Sequence, residues 1–276
     1  MTEVLITGGT GLLGPYVREA SGLLGRARTC GSRSGDFIVD LTVKQSVAEL
    51  IASARPDVVV HCAAMTDVDD CQTDPIRAMA LNAGTVENLA ASLPDKSRLI
   101  YISTDQVYPD TPGPHRENET QPLNIYGASK LRGEEMALRR DNSLVLRVNF
   151  FGPSKTLGRS SLSDWLVFSF SAGNPITLYT DSLFSPLHLE TLAAAIVDAT
   201  RAQLTGIFNL GCRDGMSKCD FSLAVAAHLG LPSDTATPGP SKLVATRAKD
   251  LRMDVSRIEK ALGRAMPTLA QEVARL

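Results

Sequence analysis

Net charge is nearly absent from this chain. Its 28 basic and 30 acidic side chains leave −2 with histidine neutral. A surface so balanced offers no electrostatic partner to nucleic acid or an anionic membrane. Long hydrophobic runs are missing as well. No stretch approaches the roughly 18 apolar residues that cross a bilayer. Nothing near the start has the basic region and cleavage site of a secretory signal. A cytoplasmic protein is therefore expected. There are five cysteines, Cys30, Cys62, Cys71, Cys212 and Cys219, none in a C-x-x-C spacing. An odd set without that spacing reads as reduced thiols and gives no zinc site. Repeats and low-complexity tracts are absent too. What remains is 43% apolar composition over 276 residues, which suits one large α/β domain or such a domain with a small cap.

The most informative stretch is Val4-Leu5-Ile6-Thr7-Gly8-Gly9-Thr10-Gly11-Leu12-Leu13-Gly14. A short apolar run reads as a buried parallel strand. It breaks into glycines spaced G-x-x-G-x-x-G, and a helix is expected from Leu12 to about Leu24. Gly8 would permit the tight turn, Gly11 would let backbone approach a pyrophosphate, and Gly14 would let helix pack on strand. Free N–H groups at the helix start, with its dipole, favour an anion there. Thr10, Leu12 and Leu13 belong to that turn. Pro15 falls in the first helical turn, where it is best tolerated. A glycine-rich turn alone is weak evidence; a strand before it and a helix after it supply the context of dinucleotide binding.

The next strand should span Arg26 to Cys30. An acid about 20 residues beyond the glycines would hold an NAD ribose hydroxyl. Gly31-Ser32-Arg33-Ser34 stands there instead. Arg33 could fork onto a 2′-phosphate and Ser32 could donate to it, which favours NADP(H) over NAD(H). A solvated loop arginine is the plainer alternative. Phe37-Ile38-Val39 reads as a short strand. Asp40, followed by Leu41, would accept from the adenine amino group, cap a helix from about Val43, or both. Asp57 to His61 is another buried strand, with His61 a satisfied strand-end residue rather than a catalyst. Cys62, Ala63 and Ala64 are small residues where chain must pass close to a cofactor. A helix over Pro75 to about Leu93 and a strand over Arg98 to Ser103 continue the alternation. Strands alternating with helices imply right-handed βαβ units and a parallel sheet, with ligands at the carboxyl ends of its strands.

After Ser103-Thr104-Asp105-Gln106 and a loop over Pro109 to Asn124 comes Tyr126-Gly127-Ala128-Ser129-Lys130, opening a helix through Leu138. Tyr126 and Lys130 stand at i and i+4 and share a helical face. A phenol titrates near 10, and an adjacent ammonium would lower that value. Y-x-x-x-K alone occurs by chance; the order glycine turn, Thr104, Tyr126, Lys130 is a stronger signal.

With those carriers the chain resembles the extended short-chain dehydrogenase/reductases, most closely the dTDP-4-dehydrorhamnose reductases. Further matches are His61 to Asp69, Leu81-Asn82-Ala83, Pro122 to Gly127, Leu146-Arg147-Val148-Asn149 and Gly206 to Leu210. The resemblance covers most of the chain and is densest through Gly152. It implies a Rossmann-type doubly wound parallel sheet with a small C-terminal substrate lobe. The dinucleotide-binding part would be 1–152 with about 188–211, and the lobe about 153–187 and 212–276. It implies Thr104 as the triad hydroxyl, Tyr126 as acid, and Lys130 on the nicotinamide ribose. Thr66, Asp105, Asn149 and Phe150 would touch the substrate. The implied activity is NADPH-dependent reduction of the keto group of a nucleotide-linked 4-keto-6-deoxy sugar, and a homodimer is left open.

The pattern departs in places. Pro15 stands where some of these reductases carry an acid of a metal-linked dimer, so no metal is expected. Phe150 and Phe151 follow Arg147-Val148-Asn149 where tryptophan is frequent, which leaves the sugar open. An epimerase or dehydratase of the same family is an alternative, although Asp105-Gln106 lacks the glutamate that dehydratases use. A non-catalytic NADP-binding subunit, like the beta subunit of methionine adenosyltransferase, is another. Beyond Gly152, helices are expected over Leu162 to Phe170 (with Trp165), Leu187 to about Ala202, Ser217 (N-cap) to Gly230, Val255 to Leu262 and Leu269 to Leu276. Strands are expected at Thr177 to Tyr179 and Gly206 to Leu210, and 233–242 reads as loop. Lys155, Arg159, Arg247 and Arg252 could meet a substrate diphosphate, although each alone reads as a surface charge.

Overall fold

The computed structural model describes residues 1–242 and 244–276. Seven parallel strands form the central sheet: β1 (Thr2–Thr7), β2 (Gly25–Gly31), β3 (Phe37–Ile38), β4 (Val58–His61), β5 (Arg98–Thr104), β6 (Leu144–Val148) and a last strand, Gly206–Leu210. Their spatial order is the last strand, β6, β5, β4, β1, β2, β3. The order reverses between β4 and β1, which pair with Thr7 beside His61. A crevice opens at such a reversal, beyond the carboxyl ends of the strands.

Period-two burial builds the layers. Val4, Ile6, Val60, Ile100, Ile102, Leu144 and Leu146 face one side, where Tyr16 and Val17 of α1 (Gly14–Ser21) join Leu192 and Ile196 of a later helix (Leu189–Arg201). Leu5, Val59, Leu99, Tyr101 and Val145 face the other. They meet Val47 and Leu50 of α2 (Lys44–Ala54), and then, past α3 (Val68–Thr73) and α4 (Pro75–Met79), Leu89 of α5 (Thr85–Ser92) and Met136 of α6 (Ile125–Ala137). Strands covered on both faces are mostly apolar, as parallel sheets require, with polar side chains near their ends.

Several element boundaries differ from the expectation. α1 starts at Gly14 rather than Leu12, with Pro15 in its first turn, and ends at Ser21. The helix expected over 75–93 is split by a π turn at Ala80–Gly84, which carries the buried Asn82. A wide turn of that kind is common at functional sites. Asp67 accepts from the N–H groups of Asp69 and Asp70 and so starts α3, which the apolar pattern did not show. Within 233–242, Ala236–Gly239 is a strand paired in parallel with Ile176–Tyr179. Pro238 is tolerated because the pair is a two-stranded edge. Ser217 caps the helix Lys218–Leu229 and Gly230 ends it at φ 64°, as expected. Segments 153–187 and 212–276 add no strand to the large sheet. Among the described residues no helix is long and apolar enough to cross a membrane.

Candidate active site

At the end of β1, Gly8 turns the chain with φ +69°. A Cβ at Gly14 would sit 2.3 Å from the Gly8 carbonyl oxygen, so helix and turn touch backbone to backbone. At Gly11 an added Cβ would meet only that same oxygen, at 3.1 Å, and its other side is open. The N–H groups of Thr10, Leu12 and Leu13 have no main-chain acceptor among the described residues. An open backbone cradle with unpaired donors at a helix start fits a pyrophosphate. The strand behind it is fixed by His61. Thr85 gives its hydroxyl proton to Leu81, so it must accept from His61 Nε2, leaving Nδ1 to accept from Thr7 Oγ1 at 2.6 Å. Burial, helped by the charge of Lys130, pushes the His61 pKa down to about 3, which fixes the neutral ring. Thr7 in turn accepts the N–H of Ala63, and Cys62–Ala64 follow the strand, partly buried.

Ser32 and Arg33 are exposed on the loop after β2. The sequence showed no acid there, but Asp36 reaches back. Its carboxylate accepts from Thr29 N at 2.7 Å and Thr29 Oγ1 at 3.0 Å. These bonds, aided by Arg18, hold its pKa below the usual range despite some burial. Asp36 is thus engaged in closing the loop. Asp40 does not cap the next helix. Val43 occupies the cap without a side-chain bond, while Asp40 accepts from the Thr42 N–H and hydroxyl at 2.9 and 2.7 Å. Leu41 beside it is buried, and its carbonyl accepts from Asn88.

The opposite rim is a ridge of side chains where β5 leaves the sheet. Asn124 accepts from Gly127 N at 2.8 Å and caps α6. A Cβ at Gly127 would lie 2.2 Å from the Gln106 carbonyl, so the helix start is pressed onto the exit of β5. This brings the Tyr126 phenol to the Thr104 hydroxyl. Burial raises the Tyr126 pKa far above the ordinary value, and the hydrogen bond with Thr104 only partly opposes it. The expectation that Lys130 lowers this phenol's pKa is corrected here. Lys130 Nζ donates to the Ile102 carbonyl at 2.7 Å and lies 4.2 Å from the Tyr101 ring centre. Burial pushes the Lys130 pKa down to about 7. At Tyr126 desolvation outweighs the Thr104 bond and Asp105 adds to the rise; at Lys130 it outweighs the attraction of Glu134.

Asp105, also buried, accepts from Thr104 Oγ1 at 3.2 Å and from the Asn149 amide. Burial raises its pKa against those bonds. Phe150 is half-buried, and Thr66 is exposed on the segment before α3. Asn82 holds that segment at both main-chain ends of Met65, accepting at 2.8 Å and donating at 3.0 Å, and donates to Ser129 as well.

Beneath the ridge lie two charged residues, Glu134, which the sequence reading did not name, and Arg147, which it named without a role. Glu134 and Arg147 form a bidentate pair at 2.9 and 2.7 Å, with side chains 2% and 1% exposed. Glu134 also accepts from Ser103, next to Thr104. Arg147 donates to Tyr108, which donates to Asn209, which donates to the carbonyls of His115 and Asp254. The signals were present. Glu134 follows Lys130 by the same four residues that separate Lys130 from Tyr126, and Arg147 interrupts an apolar strand.

The four cations considered for a diphosphate are scattered. Lys155 pairs with Glu19 of α1 and stacks over Tyr16, Arg252 is forked onto Asp250, and Arg159 is exposed. Arg247 pairs with Asp69 and follows Thr246, whose carbonyl accepts from the Asn124 amide at the start of α6.

Fold and ridge together define an oxidoreductase of the short-chain dehydrogenase/reductase type. The profile described as the RmlD substrate binding domain matches residues 1–276, and the chain belongs to that family. It is 30% identical to a probable low-salt glycan biosynthesis reductase of Haloferax volcanii, over 98% of this chain and 96% of that protein. It is 33% identical to methionine adenosyltransferase 2 subunit beta of Danio rerio, over 93% and 84%. Among solved structures, dTDP-4-dehydrorhamnose reductase of Bacillus anthracis in complex with NADP superposes with TM-score 0.90 at 23% identity, over 100% and 97% of the chains. A hypothetical dTDP-4-dehydrorhamnose reductase of Sulfolobus tokodaii gives 0.84 at 29% identity, over 97% of each.

Proposed function

We propose that this protein uses NADPH to reduce the 4-keto group of a nucleotide-linked 6-deoxy sugar. The observation that carries the reading is the placement of Thr104, Tyr126 and Lys130, all buried, where Gly127 presses the start of α6 onto the exit of β5. The Tyr126 phenol carries the proton that a carbonyl reduction needs, and the cofactor and substrate have to bring its raised pKa back down for the proton to be given readily. The nicotinamide, when bound, supplies the hydride. Tyr126 protonates the carbonyl oxygen as negative charge develops on it. Thr104, which accepts the Gln106 N–H and gives its proton to Asp105 in the free protein, turns that proton to the carbonyl oxygen when substrate is bound. Lys130 orients the ribose from the next turn of α6. Thr10, Leu12 and Leu13 offer N–H groups to the pyrophosphate. Ser32 and Arg33 face the 2′-phosphate, and the diversion of Asp36 onto Thr29 supports NADPH over NADH. Thr66, Asp105, Asn149 and Phe150 contact the sugar, with 153–187 and 212–276 closing over it.

The test is incubation of the purified protein with NADPH and dTDP-4-keto-6-deoxy sugars. Loss of NADPH absorbance matched by a deoxysugar product supports the proposal. A redox-neutral conversion would replace it with an epimerase. The similarity to methionine adenosyltransferase 2 subunit beta favours a second reading, a cofactor-binding regulatory subunit. NADPH binding without turnover of any keto sugar would select it.

A further inference from the structure

A strap of chain crosses the phosphate turn from outside it. Residues 153–159 lead to the helix Leu162–Ser171 and meet the start of α1 at three points. The Tyr16 hydroxyl donates to the Pro153 carbonyl at 2.6 Å. Lys155 pairs with Glu19 and lies 4.1 Å from the Tyr16 ring centre. The Thr156 hydroxyl gives its proton to the Gly11 carbonyl at 3.1 Å, across 145 positions of sequence.

The strap is braced for its length. The Ser154 N–H donates to Asp164 at 3.0 Å, and the same carboxylate closes the capping box of the helix that follows. Ser154 Oγ donates to the Thr156 carbonyl at 3.1 Å and accepts the Thr156 N–H at 3.2 Å. The Arg159 N–H reaches the same carbonyl. Both main-chain groups of Thr156 are thus tied, and its hydroxyl is left to act on the turn. Leu157, the next residue, is fully exposed.

The turn needs such a hold. Gly11 must lack a side chain where phosphate approaches, and a glycine leaves the peptide after it free to swing. Its own N–H is fixed to the Gly8 carbonyl at 2.9 Å, which sets the peptide before it. The peptide after it joins the Gly11 carbonyl to the Leu12 N–H. In a planar trans peptide these two groups point opposite ways. A bond that pins the carbonyl to the strap therefore turns the Leu12 N–H away from the strap, and donation to the carbonyl polarises that N–H as a donor. No main-chain acceptor takes the Leu12 N–H among the described residues.

We infer that Thr156 is a positioning residue for the cofactor, holding the Gly11 carbonyl so that the Leu12 N–H stays aimed at the pyrophosphate. The inference rests on the dinucleotide reading of the turn and deepens it, because the aim of the backbone cradle then comes from a distant side chain.

NADPH, NADH and ADP-ribose, which keeps the pyrophosphate and lacks the nicotinamide, are titrated calorimetrically into the parent and four variants. Thr156→Val keeps the shape and removes the hydroxyl. It should weaken all three ligands by the same factor, about fivefold, the worth of one hydrogen bond, so that the preference between NADPH and NADH does not move. Thr156→Ala should repeat the loss, and Thr156→Ser should restore parent affinity. Leu157→Ala disturbs the strap without touching the turn and should bind like the parent. Unchanged affinity in Thr156→Val, a serine variant as weak as the valine one, or an equal loss in Leu157→Ala overturns the inference. Tight NADPH in the parent with an affinity indifferent to Thr156 removes the role of the strap and leaves the cofactor reading. A parent that binds none of the three ligands removes both.

Discussion

The two rims of the crevice are made of different material. At the β1–α1 turn the surface is main chain. Glycines bring backbone within contact of backbone, and the free groups are the N–H of Thr10, Leu12 and Leu13. At the β5–α6 ridge the surface is side chain. Thr104, Asp105, Tyr126 and Lys130 are all buried, and burial shifts the acidity of Asp105, Tyr126 and Lys130 toward the neutral form. The turn should fail when atoms are added, and the ridge when atoms are removed.

Tyr126→Phe gives the sharpest separation. It deletes one oxygen and keeps the ring, so turnover should fall about 10²–10⁴-fold, the usual worth of a positioned acid, while NADPH affinity holds. Steady-state kinetics and a cofactor titration read both, and near-normal turnover would strip the ridge of its proposed role. At the other rim, Gly14→Ala places a methyl 2.3 Å from a main-chain oxygen that cannot swing aside. It should lower stability by about 1–3 kcal/mol, as overpacking does, visible in denaturant unfolding. Gly11→Val meets only the Gly8 carbonyl oxygen, at 3.1 Å, so it should cost less stability than Gly14→Ala yet lose NADPH. Equal stability losses at the two glycines would show that the open side of Gly11 is not where phosphate lies.

Arg33→Ala asks whether a side chain also serves the backbone rim. NADPH should weaken about tenfold, the scale of one charge-assisted contact, with NADH little changed. A parent that binds NADH more tightly would defeat the NADPH assignment. The smallest effect concerns Lys130. Its folded pKa of about 7 lies below the ordinary 10.5. From pH 7 upward the unfolded chain therefore holds more protons than the folded one, and stability rises with pH. Lys130→Met should flatten that rise relative to the parent in urea titrations of the cofactor-free protein. Parallel curves would mean that Lys130 stays charged in the fold.

The backbone rim was almost fully legible in the sequence. A cradle of this kind can be built only with glycine at Gly8 and Gly14, so the residues announce the geometry. The ridge was legible in its membership, because an i, i+4 spacing fixes a shared face. Its electrostatics were not. Whether Lys130 lowers the Tyr126 pKa depends on desolvation, which no spacing reveals, and desolvation reversed the expected direction. The π turn around Asn82 was hidden because a five-residue widening barely disturbs helical periodicity. The short strand Ala236–Gly239 was hidden because its pairing with Ile176–Tyr179 is long-range and its composition is that of a turn. Asp36 was passed over because it follows the position searched, and it returns only through its bonds to Thr29.

The chain of polar contacts behind Arg147 bears on synthesis from the N-terminus onward. Arg147 meets Glu134 as soon as both have emerged. The acceptor for Tyr108 arrives only with Asn209, and Asn209 in turn gives its second amide proton to the carbonyl of Asp254. In a nascent chain the residues behind Thr104 therefore stay short of partners long after Glu134 and Arg147 have been made. The polar support of the ridge is complete only once synthesis has reached Asp254.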